Sequence, residues 1–456
     1  MEIENETPLA LVGVQHNQEE QAGYVLVMKG LFQLKHDAIA EPNAEPPEFT
    51  GDSVFQDKIG RSLQWPNDME GFKPNLDFII QGNFYAPDGA ATTQSVAGFR
   101  FGPMEKMARI IGPRKAVRDP AGRWVVQGPA PVAELPLRWE YSAGGLSDLR
   151  NPFGLGQDAE VLDGVEGEVY HLPMIEGVSD KPWTPEARPE PVNFAAVPAM
   201  FAQRQKKLGT RDRRWSLFRA PLPPDDYDLS YANAAPTGQQ AVGEPAGFEK
   251  MYFYNMHPTH AELICTMPDF RPYAAAVLHE ADHAVPVDLR LDTIIAQPDK
   301  EEVVILWRGQ VPGAKAEANI ARVVCHWCKL NDAHTSETLA LEITEQMQKE
   351  AEEEAVFEKI EFDKKLKNKL DILEKTGKEK AQEVQEAHAS AMHDIQSLAG
   401  YEKLPPEFRE QLKSAKSLDE MDEVIFKYVK IFEEQAKEEY KKLLKLTGEA
   451  DTTGLI

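Results

Sequence analysis

A chain of 456 residues, 42% hydrophobic and 27% charged, has room for two or three domains with cores of their own. Its net charge of −25 argues against a nucleic-acid reader, which needs a basic footprint, and no apolar run is long enough to cross a bilayer. The acidic start Met1-Glu2-Ile3-Glu4-Asn5-Glu6 lacks the layout of a signal peptide, and Cys265, Cys325 and Cys328 are too few for a disulfide scaffold, so the expected address is the cytoplasm.

Up to about residue 335 the chain is rich in proline and glycine, with short β-branched or aromatic runs bounded by turn-formers. Tyr24-Val25-Leu26-Val27-Met28, Phe78-Ile79-Ile80 and Val303-Val304-Ile305-Leu306-Trp307 read as strands. Phe78–Tyr85 is expected to pair with the strand after Gly89 through the turn Ala86-Pro87-Asp88-Gly89. Residues 150–250 are loop-rich, as structured loops over a scaffold would be. A hairpin follows: Leu289, Leu291, Thr293 and Ile295 alternate with Arg290, Asp292 and Ile294, giving one apolar and one mixed face. Pro298-Asp299-Lys300 then turns the chain into Val303–Trp307.

Beyond that point proline almost vanishes and Glu, Lys, Ala and Leu dominate. Ile343, Met347, Ala351 and Ala355, then Leu366, Leu370 and Leu373, form a helical stripe that Gly377 interrupts. Val384, Ala391, Ile395 and Leu398 extend a second segment to Gly400, and Pro405-Pro406 opens a short helix. Ser417 and Glu420 form a capping box ahead of Met421, Val424, Ile425, Tyr428 and Phe432, in a helix reaching Leu446 before Gly448. The expected architecture is α+β. Residues 1–335 form a mainly antiparallel, sandwich- or barrel-like β region with long loops, in one or two subdomains. Residues 336–456 form a charged helical hairpin or small bundle, which either packs on itself or completes its stripe against a partner.

Three constellations could carry chemistry. His279-Glu280-Ala281-Asp282-His283 matches HExxH, which on a helix sets both histidines on one face for zinc; it would make the chain a zinc-dependent hydrolase. Here Ala276-Val277-Leu278 before it and Val285, Val287 and Leu289 after it read as strands. Pro286 stands where a helix would continue, so His279 and His283 belong to a hairpin tip. His257-Pro258-Thr259-His260 reads as a turn. Cys325-His326-Trp327-Cys328 has half a zinc-knuckle's spacing without a second half and reads as two buried thiols. Gly154-Leu155-Gly156 lacks a dinucleotide loop's frame, and no GxSxG elbow or Walker loop occurs, so neither a catalytic set nor a cofactor is expected. The third is Arg204, Lys206, Lys207, Arg211, Arg213 and Arg214 just before Trp215: a solvated basic loop or a docking patch. Arg211, Arg213, Arg214 and Trp215 are the candidate partner-binding residues.

Several blocks, in order, resemble the bacterial family catalogued as domain of unknown function 2169. They are Val27-Met28-Lys29-Gly30-Leu31-Phe32; Phe72-Lys73-Pro74-Asn75-Leu76-Asp77-Phe78; Gly82 to Gly89; Pro136-Leu137-Arg138-Trp139-Glu140-Tyr141 with Gly144-Gly145; and Arg150-Asn151-Pro152-Phe153-Gly154. The series continues with Gly209-Thr210-Arg211-Asp212-Arg213-Arg214-Trp215, Asp225-Asp226-Tyr227-Asp228, Asn233-Ala234-Ala235-Pro236 through Gln239-Gln240, Leu289-Arg290-Leu291-Asp292-Thr293-Ile294 and Leu306-Trp307-Arg308-Gly309. Arg211 departs from the aromatic expected there, and the helical tail lies outside the resemblance. The resemblance implies a partner rather than a reaction: an adaptor or chaperone of a type VI secretion system. Such a protein holds an effector or its PAAR-like spike-tip domain for loading onto the VgrG spike. A structural baseplate or sheath component is the other reading.

Overall fold

A computed structural model describes the chain apart from residues 17–22, 44, 46–47, 59, 61, 162–167, 179–180, 182, 185, 246, 280, 377–382, 399–400 and 447–456. The expectations placed on Glu280, Gly377, Gly400 and Gly448 lie outside the described residues. The chain forms two compact units, Met1–Thr344 and Glu345–Ile456. The first is strand-rich with mostly antiparallel sheets, the second is helical, and the described strands close no barrel.

The centre of the first unit is a seven-stranded sheet. Its order is Gln240–Ala241, Leu76–Ile80, Arg290–Gln297, Glu302–Val311, Gly23–Gln33 and Ala10–His16, with Glu41–Pro42 beside the end of Gly23–Gln33. Only the Leu76–Ile80/Arg290–Gln297 pair in it is parallel. One face is apolar throughout. Leu26, Met28, Phe32, Phe78, Ile80, Ile294, Ile305 and Trp307 share a core with residues of two further sheets. One of these has five antiparallel strands: Ile175–Gly177, Met104–Ile111, Gln94–Phe101, Lys250–Tyr254 and Glu262–Thr266. Phe78 stacks on its Phe99 (4.9 Å between centroids) and Phe101 (4.7 Å). The other comprises Glu2–Asn5, Ile320–Cys328, Arg271–Leu278 and Ala284–Val287. A small sheet of Trp124–Gln127, Lys115–Arg118, Glu168–His171 and Ala159–Val161 stands beside them.

Two strand expectations change. The strand after Gly89 does not pair with Tyr85; Gln94–Phe101 turns at Gly102 (φ 53°) into Met104–Ile111, while Asn83–Tyr85 pairs with Glu134–Pro136. Leu76–Ile80 instead lies inside the large sheet, where both of its faces are buried: Leu76, Phe78 and Ile80 on one side, Asp77 and Ile79 on the other. The expected apolar and mixed faces of Arg290–Gln297 are likewise both buried, because a bulge between Leu291 and Thr293 shifts the register and carries Asp292 inward.

Among the described residues there are six α-helices: α1 (Ala202–Gln205), α2 (Arg213–Phe218), α3 (Ser336–Thr376), α4 (Glu383–Ser397), α5 (Pro406–Ser414) and α6 (Leu418–Leu446). The start of α3 belongs to the first unit: Ser336 Oγ donates to Val287 O (2.8 Å), and Thr344 Oγ1 accepts from Ala284 N (3.0 Å). Both satisfy the outer strand of the four-stranded sheet. Within the helical unit, Phe362 and Leu366 of α3, Ala391 and Ile395 of α4, Leu412 of α5 and Met421 and Ile425 of α6 form one core. Ala351 and Ala355, expected on the stripe, are exposed, and the side chains of Leu370, Leu373 and Val384 lie outside the described residues. At the start of α6, Ser417 Oγ accepts from Glu420 N (3.2 Å). The Glu420 carboxylate reaches Lys416 N (2.6 Å) rather than the Ser417 amide a strict capping box would engage.

Candidate docking surface

The second face of the large sheet is where the segments around Lys29, Asp77, Asn233, Asp292 and Arg308 meet. Its upper part is apolar: Val25, Val27, Ile79, Ile295, Val304 and Leu306 pack under Leu63, Ala196, Ala234 and Ala235. At one end the same face carries buried charge. Lys29 Nζ donates to Asp68 Oδ2 (2.8 Å) and Glu48 O (2.7 Å), with both side chains 3% exposed. Arg308 bonds Asp292 and donates to Asp68 O (2.7 Å). Thr293 Oγ1 donates to Asp292 Oδ1 (2.7 Å) and accepts from Lys73 Nζ (2.8 Å), which also reaches Asp77 Oδ2 (3.1 Å). Three cations thus face three carboxylates, and each charge has a partner, the condition under which burial is tolerated.

This network fastens loops. Asp77, fully buried, accepts from Asn233 Nδ2 (3.0 Å), Ala234 N (2.9 Å) and Ala235 N (3.2 Å), fixing the Asn233-Ala234-Ala235 turn. Buried Gln239 donates to Phe78 O (2.8 Å) and Phe194 O (3.0 Å), sealing the open edge of Leu76–Ile80, while its Oε1 accepts from Lys106 Nζ (3.0 Å). Burial pushes the Lys106 ammonium down to about 7. Asn151 ties Trp139 O (2.8 Å) to Ala143 O (3.0 Å), under an aromatic group of Trp139, Phe153 and Phe201.

Between Val197 and Ala232 the chain makes a long excursion, and Arg204 closes its base. It is 4% exposed, donates from Nη1 to Val197 O (3.0 Å) and from Nε to Tyr231 O (3.0 Å), and lies over the Tyr231 ring (4.8 Å). Lys207 Nζ adds a bond to Ser230 O (3.1 Å). The basic run is therefore two sets of residues: Arg204 and Lys207 hold backbone, and the later arginines face water. Among the latter, Thr210 N and Oγ1 donate to Asp226 (2.7 and 2.6 Å), which holds that carboxyl below the usual range. Asp212 caps α2 by accepting from Trp215 N (2.8 Å). Trp215 is half-buried, its Nε1 donating to Leu222 O (2.8 Å), with Arg211 over its ring (5.4 Å). Arg219 donates to Pro223 O and pairs with Asp225 (2.8 Å).

Of the residues singled out, Arg211, Arg213 and Arg214 are exposed together, whereas Trp215 braces the loop from within. Sequence reasoning missed Leu217 and Phe218, which are 63% and 83% exposed. The available signal was Asp212 as an N-cap: it starts a helix that sets Arg213 over Leu217 and Arg214 over Phe218, one turn apart.

The other constellations lie elsewhere. His279 and His283 sit at the ends of the turn joining Arg271–Leu278 to Ala284–Val287, both exposed, with His283 Nδ1 2.8 Å from Asp282 Oδ1. Among the described residues, no group of three metal-ligating side chains converges. Cys325 and Cys328 lie three apart on one strand, so their side chains point to opposite faces and do not share an ion. Burial pushes the Cys325 and Cys265 thiols up to about 12. His257 is buried beside His260 (4.9 Å between ring centroids), which stacks on His36 (4.5 Å). Its Nδ1 accepts from Thr259 N (3.2 Å) and His260 N (3.1 Å), its Nε2 faces Glu301 (3.4 Å), and burial first, then His260, holds its pKa below the ordinary value.

Fold and site together define a strand-rich protein whose loops are pinned by a buried ion network and present a basic, apolar-tipped helix. Residues 19–308, more than half the chain, match the model of a family described as an uncharacterized protein conserved in bacteria (DUF2169), and the chain belongs to that family. The matched span holds the whole network from Lys29 to Arg308 and all of α2; the helical unit lies outside it. No curated protein and no solved structure matches the chain. No helix of the described residues is long and apolar enough to cross a membrane.

Proposed function

We propose that the protein is a cytoplasmic, non-enzymatic adaptor of a type VI secretion system. It binds an effector, or the PAAR-like tip domain that accompanies one, and keeps it competent for loading onto the VgrG spike. The partner type comes from the family resemblance. The observation that supports a binding role is α2: two arginines and two large apolar side chains held outward on a loop braced at every turn. Exposed Arg and aromatic groups on a preorganised loop are the composition of interface hot spots, because little ordering entropy remains to be lost on binding. The test is co-expression with the effector and PAAR-like proteins encoded beside it, followed by size-exclusion chromatography. A co-eluting complex and greater effector solubility are expected; separate elution with unchanged solubility refutes the adaptor role.

A further inference from the structure

We infer that α2 is the docking anchor for an acidic amphipathic segment of a partner protein, whose carboxylates pair with Arg213 and Arg214 while its apolar side takes Leu217 and Phe218. The inference rests on the adaptor reading for the partner's identity only. Charge argues for it first. Between Arg204 and Asp228 stand seven cations and four carboxylates, in a chain whose net charge is −25. Every one of those carboxylates is engaged within the loop: Asp212 as helix cap, Asp225 with Arg219, Asp226 with Thr210, and Asp228 accepting from Ser230 N (2.8 Å). Among the described residues, no carboxylate pairs with Arg213 or Arg214. Seven cations against four carboxylates leave this segment a net charge of +3, and the carboxylates are held by their own partners rather than by Arg213 or Arg214.

Geometry argues for it next. On α2, Arg213 and Leu217, and Arg214 and Phe218, are stacked one turn apart, so the surface reads as a cationic end above an apolar end. A matching segment carries Asp or Glu one turn from Leu, Ile or Phe, as an acidic amphipathic helix does. Extended polyanions fit worse: charge lying more than a Debye length of about 8 Å from these arginines gains little from them, and the chain as a whole is acidic, so a short segment uses the patch as fully as a long one.

The test uses the full chain and a fluorescein-labelled peptide with Glu and Leu at helical spacing, read by fluorescence anisotropy. Saturable binding is expected, weakened about tenfold or more by Phe218→Ala and by Arg213→Glu/Arg214→Glu. All three side chains are exposed, so the variants should fold, and an unchanged melting temperature verifies it. No binding by the unaltered chain, or equal binding by the variants, overturns the inference. So does retention by anionic phospholipid vesicles or a DNA duplex with the same dependence on these residues. The same variants in the co-expression experiment separate the two readings. An effector retained equally by the variants removes the α2 surface and leaves the adaptor. Peptide bound at α2 with no effector bound by any form removes the adaptor and leaves the surface.

Discussion

In the strand-rich unit the groups that meet lie far apart in sequence: Arg308 donates to Asp68 O, Lys73 to Thr293, and Asn233 to Asp77. In the helical unit the core is built from apolar stripes of successive helices, and none of its described charged side chains is buried. The difference teaches what each kind of interaction can specify. Apolar stripes bring helices together but tolerate sliding; a closed set of charge-assisted bonds accepts one arrangement of the loops it ties, because any other leaves a charge unpaired in a low-dielectric site. Loops that must present α2 in a fixed attitude are secured by the second means.

The largest effect expected from breaking this comparison is that of Asp77→Ala. It strands Lys73 and three donors of the Asn233-Ala234-Ala235 turn, and the loss should be about 3–5 kcal/mol by urea unfolding monitored through tryptophan fluorescence. A loss below about 1 kcal/mol would mean that apolar contact alone holds the loops. Ile425→Ala should cost roughly 2–4 kcal/mol, as other core truncations do, and should appear in the helical circular dichroism rather than in the tryptophan signal. If both signals shift together, the contrast between the units fails.

A smaller effect concerns pH. Folded His257 takes up its proton at lower pH than the unfolded side chain, because burial first, and then the neighbouring His260, oppose its protonation. Below about 6.5 the unfolded chain therefore binds more protons, so stability should fall as pH drops through that window and level off under the folded pKa. His257→Gln should flatten that slope in pH-dependent melting. Smallest of all, Phe218→Ala and Arg213→Glu/Arg214→Glu should change stability by no more than about 0.5 kcal/mol, since these side chains touch little in the fold. A larger loss would make α2 part of the scaffold.

Local pattern made much of this legible. Short apolar runs between turn-formers gave the strands, and Pro298-Asp299-Lys300 marked the turn between Arg290–Gln297 and Glu302–Val311, where a 3₁₀ turn lies. Pro286 and its flanking strands placed His279 and His283 on a hairpin rather than a zinc-binding helix. Pairing was harder to read. The parallel partner of Leu76–Ile80 is Arg290–Gln297, more than two hundred residues away, and nothing near Tyr85 could announce it.

The sequence by itself determined the fold class, the change from strands to charged helices, and the presence of an unusual basic run in an acidic chain, because each is written in composition and in periods of two to four residues. Only the tertiary structure decided which charges are structural. Arg204 and Arg213 differ by nine positions and not at all in residue type, yet Arg204 is sealed against two carbonyls while Arg213 faces solvent. Burial is fixed by what the rest of the chain lays over a residue, and in this protein that cover comes from loops held by ions on distant strands.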